Sequence, residues 1–323
     1  MKLSIVTVNY RSFGHLENAC SALAADFPDD WEMIVVDNES ETAPLAEFQA
    51  KFPWVNCIAN EINSGFGVGC RLGVAKAKGL SLLFMNPDVI ADCRQIQQLI
   101  EEKDGHPDVA ILAPKQTDSN GRAQKVFDDF PGLLNQSKLV KATLRALFPR
   151  RYQNPHADYK ELTYCDWVTG SVLLIDRKNY DAIGGWSKDY WMYVEDADLC
   201  KKAHDAGMRI AYTPIVQVIH AHGGSSRLNV AVKSMTKLEV IISKHVYASK
   251  HARGPSRWLT HGLIIAMRLP MLVAAALADL FTLGQIPTLR VRSKMLLGLT
   301  NYYAGAIRTR SWLSPRAKAN QSS

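Results

Sequence analysis

Residues 3–9 read LSIVTVN, a short apolar run rich in β-branched side chains that ends in a polar residue. Such a run is typical of a strand buried on both faces of a parallel sheet. The same pattern recurs at residues 31–36, 55–59 and 80–85, and helical patterns separate these runs. This alternation predicts an α/β fold with a doubly wound, mostly parallel, Rossmann-like sheet.

Polar side chains follow three of these predicted strands. Asn9 ends the first, Asp37 follows the second, and Asn86 and Asp88 follow the fourth. Each alone is compatible with a simple turn former. Because ligands of such sheets bind at the carboxyl ends of the strands, we expect these side chains to converge on one site. A carboxylate such as that of Asp88 suits a hard divalent cation that also keeps water and phosphate oxygens as ligands.

A glycine-rich loop at residues 63–69, NSGFGVG, precedes a helix expected at residues 70–78. Backbone N–H groups in such a loop, which includes Gly65, can cradle phosphate, and Arg71 could add a cation for a diphosphate. The loop matches neither the dinucleotide fingerprint nor the Walker A sequence. A flexible turn and a solvated arginine are the structural alternatives.

Three carboxylates, Glu195, Asp196 and Asp198, fall within the stretch WMYVEDADLC at residues 191–200, just before a helix expected at residues 199–207. Acidic residues in a first helical turn are stabilised by the helix dipole, by about 0.3–1 kcal/mol each. That is the structural interpretation, with Asp198 as a cap. Beside the acids of the sheet edge, the stretch also indicates a catalytic carboxylate.

Two histidines, His220 and His222, follow a strand expected at residues 214–219. Residues two apart on a strand face the same side, so either is a candidate metal ligand. Between these features lies an irregular excursion at residues 119–164, with one helix expected at residues 133–147 and mobility over a site.

The basic charge is concentrated in the C-terminal quarter. From His251 onward ten Lys and Arg side chains stand against one acid, Asp279, a net charge of +9, whereas the first 250 residues carry 28 basic and 30 acidic side chains. This distribution favours an anionic membrane surface as partner of that quarter, and no nucleic acid.

Residues 259–281 are largely apolar but contain Arg268 and Pro270 near the middle. A central charge disfavours a membrane span. We therefore expect a pair of helices lying in the membrane interface with arginines facing lipid phosphates, and a second amphipathic piece at residues 296–307. A helical appendage packed on the catalytic domain or on a second subunit is the alternative.

The six cysteines form no C-x-x-C pair and no zinc-ligand spacing. No signal-peptide pattern precedes the first strand. Reduced thiols in a cytoplasmic protein are therefore expected.

An ordered set of short motifs at residues 3–230 resembles the family 2 inverting glycosyltransferases of the GT-A fold, in the bacterial rhamnosyltransferase-like branch. The motifs, in chain order, are IVTVNY, VVDNES, NSGFGVG, NPD, VTGS, GGW, YVEDADL and HAHGG. The resemblance implies a GT-A domain at residues 1–230, with a nucleotide half at about 1–115 and an acceptor half at about 116–230. Residues 231–323 would form the basic, apolar helical appendage.

The resemblance also implies roles by position. Nucleotide-binding residues would be Thr7, Asn9, Asp37, Gly65, Arg71 and Asn86. A Mg²⁺ or Mn²⁺ ion would be held by Asp88 and by His220 or His222, with Asn86 replacing the first acid of the D-x-D motif. Asp196 would be the catalytic base, with Glu195 its rival, and Trp167, Thr169, Gly170 and Trp186 would line the sugar and acceptor pocket.

The implied reaction moves a sugar, L-rhamnose, from a nucleotide-sugar donor to a polyprenyl-linked glycan in O-antigen or cell-envelope synthesis. The donor would be dTDP-rhamnose or a UDP-sugar, and the enzyme would be peripheral on the inner face of the cytoplasmic membrane. A sugar nucleotidyltransferase is one alternative, but residues 9–14, NYRSFG, lack its glycine-rich loop. A non-catalytic, membrane-bound nucleotide-sugar-binding protein is the other, and the intact EDAD sequence argues against it.

Overall fold

The computed structural model describes residues 1–39, 42–221 and 229–319. The chain divides into two compact units. The sheet unit comprises Met1–Phe130, Phe148–Ser187 and Glu195–Gly224, and the helical unit comprises Pro131–Leu147, Lys188–Val194 and Ser225–Ser323.

The strands all belong to the sheet unit. They are β1 (Leu3–Asn9), β2 (Trp31–Asn38), β3 (Val55–Asn60), β4 (Ser81–Met85), β5 (Val89–Ile90), β6 (Val109–Thr117), β7 (Phe127–Asp128), β8 (Thr163–Tyr164), β9 (Trp167–Val168), β10 (Val172–Asp176) and β11 (Arg209–His220).

The helices are shared between the units. The sheet unit holds α1 (Phe13–Leu23), α2 (Thr42–Lys51), α3 (Phe66–Val74), α4 (Cys93–Asp104), α6 (Arg177–Ala182) and α7 (Glu195–Asp205). The helical unit holds α5 (Lys138–Leu147), α8 (Val230–His251), α9 (Gly254–Phe281), α10 (Pro287–Thr309) and α11 (Pro315–Ala319).

The main sheet has the order β3-β2-β1-β4-β10-β6-β11-β5, and β8 pairs with β11. Strands β1 to β4 are parallel to one another, as are β6 and β11, whereas β10 runs antiparallel to β4 and β6. The predicted α/β fold with a mostly parallel sheet is thereby confirmed. Because the strand order reverses direction at β1, the carboxyl ends of β1, β2 and β4 flank a crevice suited to a ligand.

Helix α3 begins at Phe66, four residues before the predicted start, so half of the glycine-rich loop is helical. Its glycines allow close packing on β1. A methyl group at Gly73 would lie 2.5 Å from Val6 Cγ1, and one at Gly69 would lie 2.8 Å from Val8 Cγ1. These two glycines therefore serve helix–sheet contact, since no other residue lets the backbones approach so closely.

Helix α9 runs unbroken through Pro270, so the predicted pair of helices is wrong. The proline ring fixes φ near a helical value and removes one backbone hydrogen bond. Packing compensates, because α9 buries side chains on both sides of the proline, including His261, Ile264 and Leu272. By length and composition alone, α9 is able to cross a membrane, and 17% of its apolar window is buried.

Candidate active site

The carboxyl ends of β1 and β2 bring Asn9 and Asp37 together. Asn9 Nδ2 donates a hydrogen bond of 2.7 Å to Asp37 Oδ1, and both side chains are buried. The parallel register sets Asn9 opposite Asp37, which explains the contact. Thr7, two residues earlier on β1, is also buried, and its Oγ1 has no hydrogen-bond partner among the described residues.

A polar network around Asn38 fixes the start of the glycine-rich loop. Asn38 Nδ2 donates to the carbonyl of Gly65 at 3.1 Å, and Asn38 Oδ1 accepts from Asn60 Nδ2 at 2.7 Å. Ser64 Oγ donates to the same oxygen at 3.2 Å. Sequence reasoning missed Asn38 and Asn60, although both are polar residues at strand ends, the signal that identified Asp37.

Arg71, predicted to bind a diphosphate, contacts the turn after α6. Its Nη1 donates to the carbonyls of Gly184 and Trp186, at 3.0 Å each. The carbonyls belong to the turn after α6, which positive φ angles at Gly184 and Gly185 shape. Arg71 thus stabilises the turn that leads to Trp186.

Asp88 and His220 lie side by side after β4 and at the end of β11. His220 Nε2 is 3.3 Å from Asp88 Oδ1, and the amide of Ala221 donates to the Asp88 carbonyl at 2.9 Å. The short antiparallel pairing of β5 with β11 brings the two segments together. The main chain thus holds a carboxylate and an imidazole next to each other at the sheet edge.

Gln116, near the end of β6, binds the other imidazole nitrogen. His220 Nδ1 lies 2.9 Å from Gln116 Oε1, and both side chains are buried. An amide oxygen only accepts, so Nδ1 carries a hydrogen in this contact, and Nε2 is the nitrogen that faces Asp88. Gln116 is a site residue that sequence reasoning missed.

The same glutamine connects the histidine to the loop before β10. Ser171 Oγ donates to Gln116 Oε1 at 2.9 Å and lies 2.9 Å from Thr169 Oγ1. Between them, the amide of Gly170 donates to Asp196 Oδ2 at 3.2 Å. Thr169 and Gly170 therefore join the histidine side of the site to the acidic stretch, within a single unit.

Glu195 and Asp196 open α7 and have different surroundings. Asp196 is partly exposed and accepts hydrogen bonds from the amides of Ala197, at 2.8 Å, and Gly170. Glu195 is buried, and its Oε2 has no hydrogen-bond partner among the described residues. Burial, followed by the charge of Asp196, raises the pKa of Glu195 well above its usual range. Burial also raises the pKa of Asp196, but its two amide donors oppose that shift.

The backbone just before these acids is strained. Tyr193 and Val194 have φ angles of 69° and 66°, in the left-handed region. A β-branched residue rarely adopts this region, and such strain costs about 1–3 kcal/mol per residue. Strain of this kind concentrates at active sites, because surrounding contacts hold the chain in a required conformation.

The two predicted pocket tryptophans differ in position. Trp167 is partly exposed, and its Nε1 donates to the carbonyl of Asp129 at 2.9 Å. Trp186 is fully buried and packs edge-on against Phe66 and Phe84. In this structure the Trp186 ring is therefore not exposed at the surface of the predicted pocket. Its ring would lie 3.2 Å from a methyl group at Gly170, so it supports the loop at Gly170 from behind.

The donor atoms of Asp88 and His220 fit a divalent cation. Carboxylate and imidazole are common ligands of Mn²⁺, and Mg²⁺ or Mn²⁺ typically completes its shell with water and substrate phosphates. Within residues 1–39, 42–221 and 229–319, no group of three His, Cys, Asp or Glu side chains could hold a metal ion. The substrate would have to supply further ligands. The other predicted ligand, His222, lies outside the described residues.

Two family models match overlapping parts of the chain. The model described as glycosyl transferase family 2 matches residues 4–167. The model described as the N-terminal domain of galactosyltransferase matches residues 153–222. The matched residues include every described side chain of the candidate site.

Two curated relatives are rhamnosyltransferases. N-acetylglucosaminyl-diphospho-decaprenol L-rhamnosyltransferase of Mycobacterium tuberculosis is 25% identical over 296 residues, which cover 85% of this chain and 94% of the relative. Rhamnosyltransferase WbbL of Escherichia coli K12 is 25% identical over 234 residues, which cover 67% of this chain and 82% of the relative.

Solved structures share the fold at low sequence identity. The mannosyltransferase PcManGT from Pyrobaculum calidifontis, in complex with GDP-Man and Mn²⁺, has a TM-score of 0.53 and 14% identity, covering 92% of this chain and 87% of its own. GalNAc-T7 with UDP, GalNAc and Mn²⁺ has a TM-score of 0.53 and 16% identity, covering 77% of this chain and 50% of its own.

Proposed function

This chain belongs to glycosyl transferase family 2, and on that premise we propose that it transfers L-rhamnose, with inversion, from a nucleoside-diphosphate donor to a lipid-linked glycan. The names of both rhamnosyltransferase relatives support the sugar, and that of the mycobacterial relative supports a polyprenyl-diphosphate acceptor. The donor is dTDP-rhamnose, with a UDP-sugar as the alternative. The observation that carries the proposal is the carboxylate of Asp196, which accepts a hydrogen bond from the amide of Gly170.

Asp196 is the base of the reaction. Its carboxylate takes the proton from the acceptor hydroxyl while that oxygen bonds to the anomeric carbon, and the bond from carbon to diphosphate breaks on the opposite side. Such proton transfer typically contributes about 10²–10⁴-fold to a rate. Two amide donors favour the ionised form of Asp196, whereas burial raises the pKa of Glu195 well above its usual range. Glu195 then orients the acceptor or supports the loop.

The donor occupies the edge formed by β1, β2 and β4. Asn9 and Asp37 hold the nucleoside, and Thr7 and Asn86 lie at the same strand ends. Asp88 and His220 would hold Mg²⁺ or Mn²⁺. A bound divalent cation would offset the negative charge that develops on the leaving diphosphate. Protein amides and water-excluding side chains around the loop at Gly170 protect the donor from hydrolysis.

The helical unit keeps the enzyme on the inner face of the cytoplasmic membrane as a peripheral protein. Helix α9 exposes Met271, Leu277 and Phe281, and α10 exposes Arg290 and Arg308. An apolar face near arginine side chains is typical of a helix that lies in the membrane interface. This placement gives access to a lipid-linked acceptor.

The base assignment predicts the behaviour of Asp196→Asn. The amide cannot accept the proton, so transfer should fall about 10²–10⁴-fold, while the affinity for the nucleoside diphosphate stays within about twofold. Transfer is measured with dTDP-rhamnose and a short-chain polyprenyl-diphosphate acceptor, and binding is measured by calorimetry.

Two matched variants complete this experiment. Glu195→Gln imitates the neutral carboxyl and should lose far less rate than Asp196→Asn. Asp181→Asn makes the same change on an exposed part of α6 and should behave as wild type. Wild-type turnover by Asp196→Asn would show that another group is the base. Failure of the wild-type enzyme to use any rhamnose donor would reject the proposed sugar.

A further inference from the structure

The chain that leads into α7 is held by side chains of the helical unit. Residues 188–194 belong to that unit, and the peptide bond after Val194 joins them to Glu195. Ser243 Oγ, on α8, donates a hydrogen bond of 2.8 Å to the carbonyl of Met192. Because Ser243 is fully buried, water has little access to this contact.

Two basic side chains hold the same segment closer to its start. Lys250 Nζ, also on α8, lies 2.9 Å from Asp189 Oδ2 and 5.3 Å from the centre of the Tyr190 ring. The guanidinium of Arg316, on α11, lies 4.8 Å from the centre of the Trp191 ring. A cation is attracted to an aromatic face, and more strongly where water is excluded, and both rings are buried.

The strained backbone at Tyr193 and Val194 lies between this held segment and the acids of α7. Strained backbone of this kind persists only where the surrounding contacts fix the chain on both sides. On the side of α7 the chain is fixed because Leu199 and Cys200 are fully buried in the core of the sheet unit. On the other side it is fixed by the contacts of residues 189–192 within the helical unit.

We propose that side chains of the helical unit position the base of the reaction, Asp196. By holding residues 189–192 they fix how the chain enters the first turn of α7, and with it the direction of the Asp196 carboxylate. These positioning residues are Ser243, Lys250 and Arg316. The first turn of a helix has no intrahelical partners for its N–H groups, so its conformation depends on the chain that enters it. The inference rests on the proposed function in that Asp196 is the base.

The test compares Ser243→Ala with Ser234→Ala in the full chain, using the nucleotide-sugar donor that the wild-type enzyme accepts. Both serines are buried on α8, but Ser234 Oγ donates to the carbonyl of Ala231 in its own helix, at 2.8 Å. Ser243→Ala should lower kcat about tenfold, because a small displacement of a reacting group is costly. Calorimetric affinity for the nucleoside diphosphate should stay within about twofold of wild type, since other residues bind it. Ser234→Ala should match wild type in both measurements.

Lys250→Met and Lys250→Arg form a second pair of variants at a partly exposed position, where the fold tolerates the change. Lys250→Met removes the charge that contacts Asp189 and Tyr190 and should lower kcat about tenfold. Lys250→Arg keeps a cation at the same place and should recover most of the rate. A residue that only stabilised the fold would lower Tm and leave kcat per folded enzyme unchanged well below Tm.

Combination with Asp196→Asn tests whether the held segment acts through the base. Ser243→Ala should cause no further loss of kcat in the Asp196→Asn background, because the misplaced group no longer accepts a proton. A further loss of about tenfold there would overturn the inference and keep the base assignment. Wild-type kcat in both Ser243→Ala and Lys250→Met, beside a slow Asp196→Asn, would do the same. Wild-type turnover by Asp196→Asn would instead reject the base assignment and the inference together.

Discussion

Gln116 is the residue on which the orientation of His220 depends. Its amide oxygen accepts from Nδ1 and so leaves Nε2 as the nitrogen beside Asp88. Partners of this kind orient metal-ligating histidines, and their loss typically lowers metal affinity about 10–100-fold. The sequence did not single out Gln116 as a site residue, because glutamine is common near the ends of strands.

Gln116→Leu should therefore weaken Mn²⁺ binding in the presence of a nucleoside diphosphate by about 10–100-fold, because Nδ1 loses its acceptor. The measurement is calorimetric titration with Mn²⁺, which does not depend on turnover. Gln116→Glu keeps an acceptor at the same position and should retain tighter binding than the leucine variant.

Gln124→Leu is the matched control, since Gln124 Nε2 donates to the backbone carbonyl of His220, at 2.7 Å, and not to its imidazole. It should alter Mn²⁺ affinity much less. Equal affinities of wild type and Gln116→Leu would show that Gln116 does not position the histidine.

At the scale of elements, α3 and β1 form the contact that positions the donor edge. The helix lies directly over the strand that ends in Asn9, and Gly69 and Gly73 set their separation. A glycine-rich sequence before a helix thus allowed two interpretations: the loop could bind phosphate, or its glycines could allow close packing of the helix. The structure assigns packing to these two glycines.

Gly73→Ala should destabilise the fold by about 1–3 kcal/mol, because the new methyl would overlap Val6 at 2.5 Å and Val36 at 3.3 Å. Urea unfolding measures this cost. In a Val6→Ala background the cost should shrink, since the clashing methyl groups are gone.

Gly305→Ala provides the comparison, because an added methyl there meets no atom within 4 Å. This change within α10 should stabilise the protein by about 0.5–1 kcal/mol. Equal effects of the two alanine substitutions would contradict the packing role of Gly73.

For the whole molecule, stability is expected to depend on pH through Glu239 of α8. The side chain is buried; Ser314 Oγ donates to it at 3.2 Å, and Arg316 Nε lies 3.5 Å from it. Burial raises the pKa of Glu239 from 4.5 to about 7, although both neighbours act in the opposite direction.

The folded state therefore keeps a proton that the unfolded state releases above its lower pKa. The free energy of unfolding should fall as pH rises from about 4.5 to about 7 and then level off. Glu239→Gln removes this dependence. It should be more stable than wild type at pH 8, by up to about 3 kcal/mol, and similar to wild type at pH 4.5.

Thermal melts of both proteins across this pH range test the expectation. Asp189→Asn controls for the loss of one acid within the same unit, because Asp189 pairs with Lys250 at 2.9 Å and is partly exposed. If the difference between wild type and Glu239→Gln does not change with pH, Glu239 is ionised throughout and its pKa is not raised.

Local patterns in the sequence predicted most of the strands that form the candidate site. Apolar runs that end in polar residues located β1, β2 and β4, and with them Asn9, Asp37 and Asp88 at one sheet edge. This worked because burial on both faces of a strand and the polarity of its end are properties of neighbouring residues. The helix pair predicted around Pro270 failed because packing of distant residues against α9 outweighed the local signal.

By itself, the sequence determined the α/β class, the polar strand ends and the acidic stretch that begins α7. Only the tertiary structure decided which of those residues touch. The partner of His220 lies 104 residues away, and the carbonyls bound by Arg71 lie 113 and 115 residues away. It also decided that Glu195 is buried while Asp196 accepts hydrogen bonds from two backbone amides. In the same way it decided that Leu139 and Leu147 of α5 are exposed. These differences arise from burial and hydrogen bonding between distant segments, which no local pattern of residues specifies.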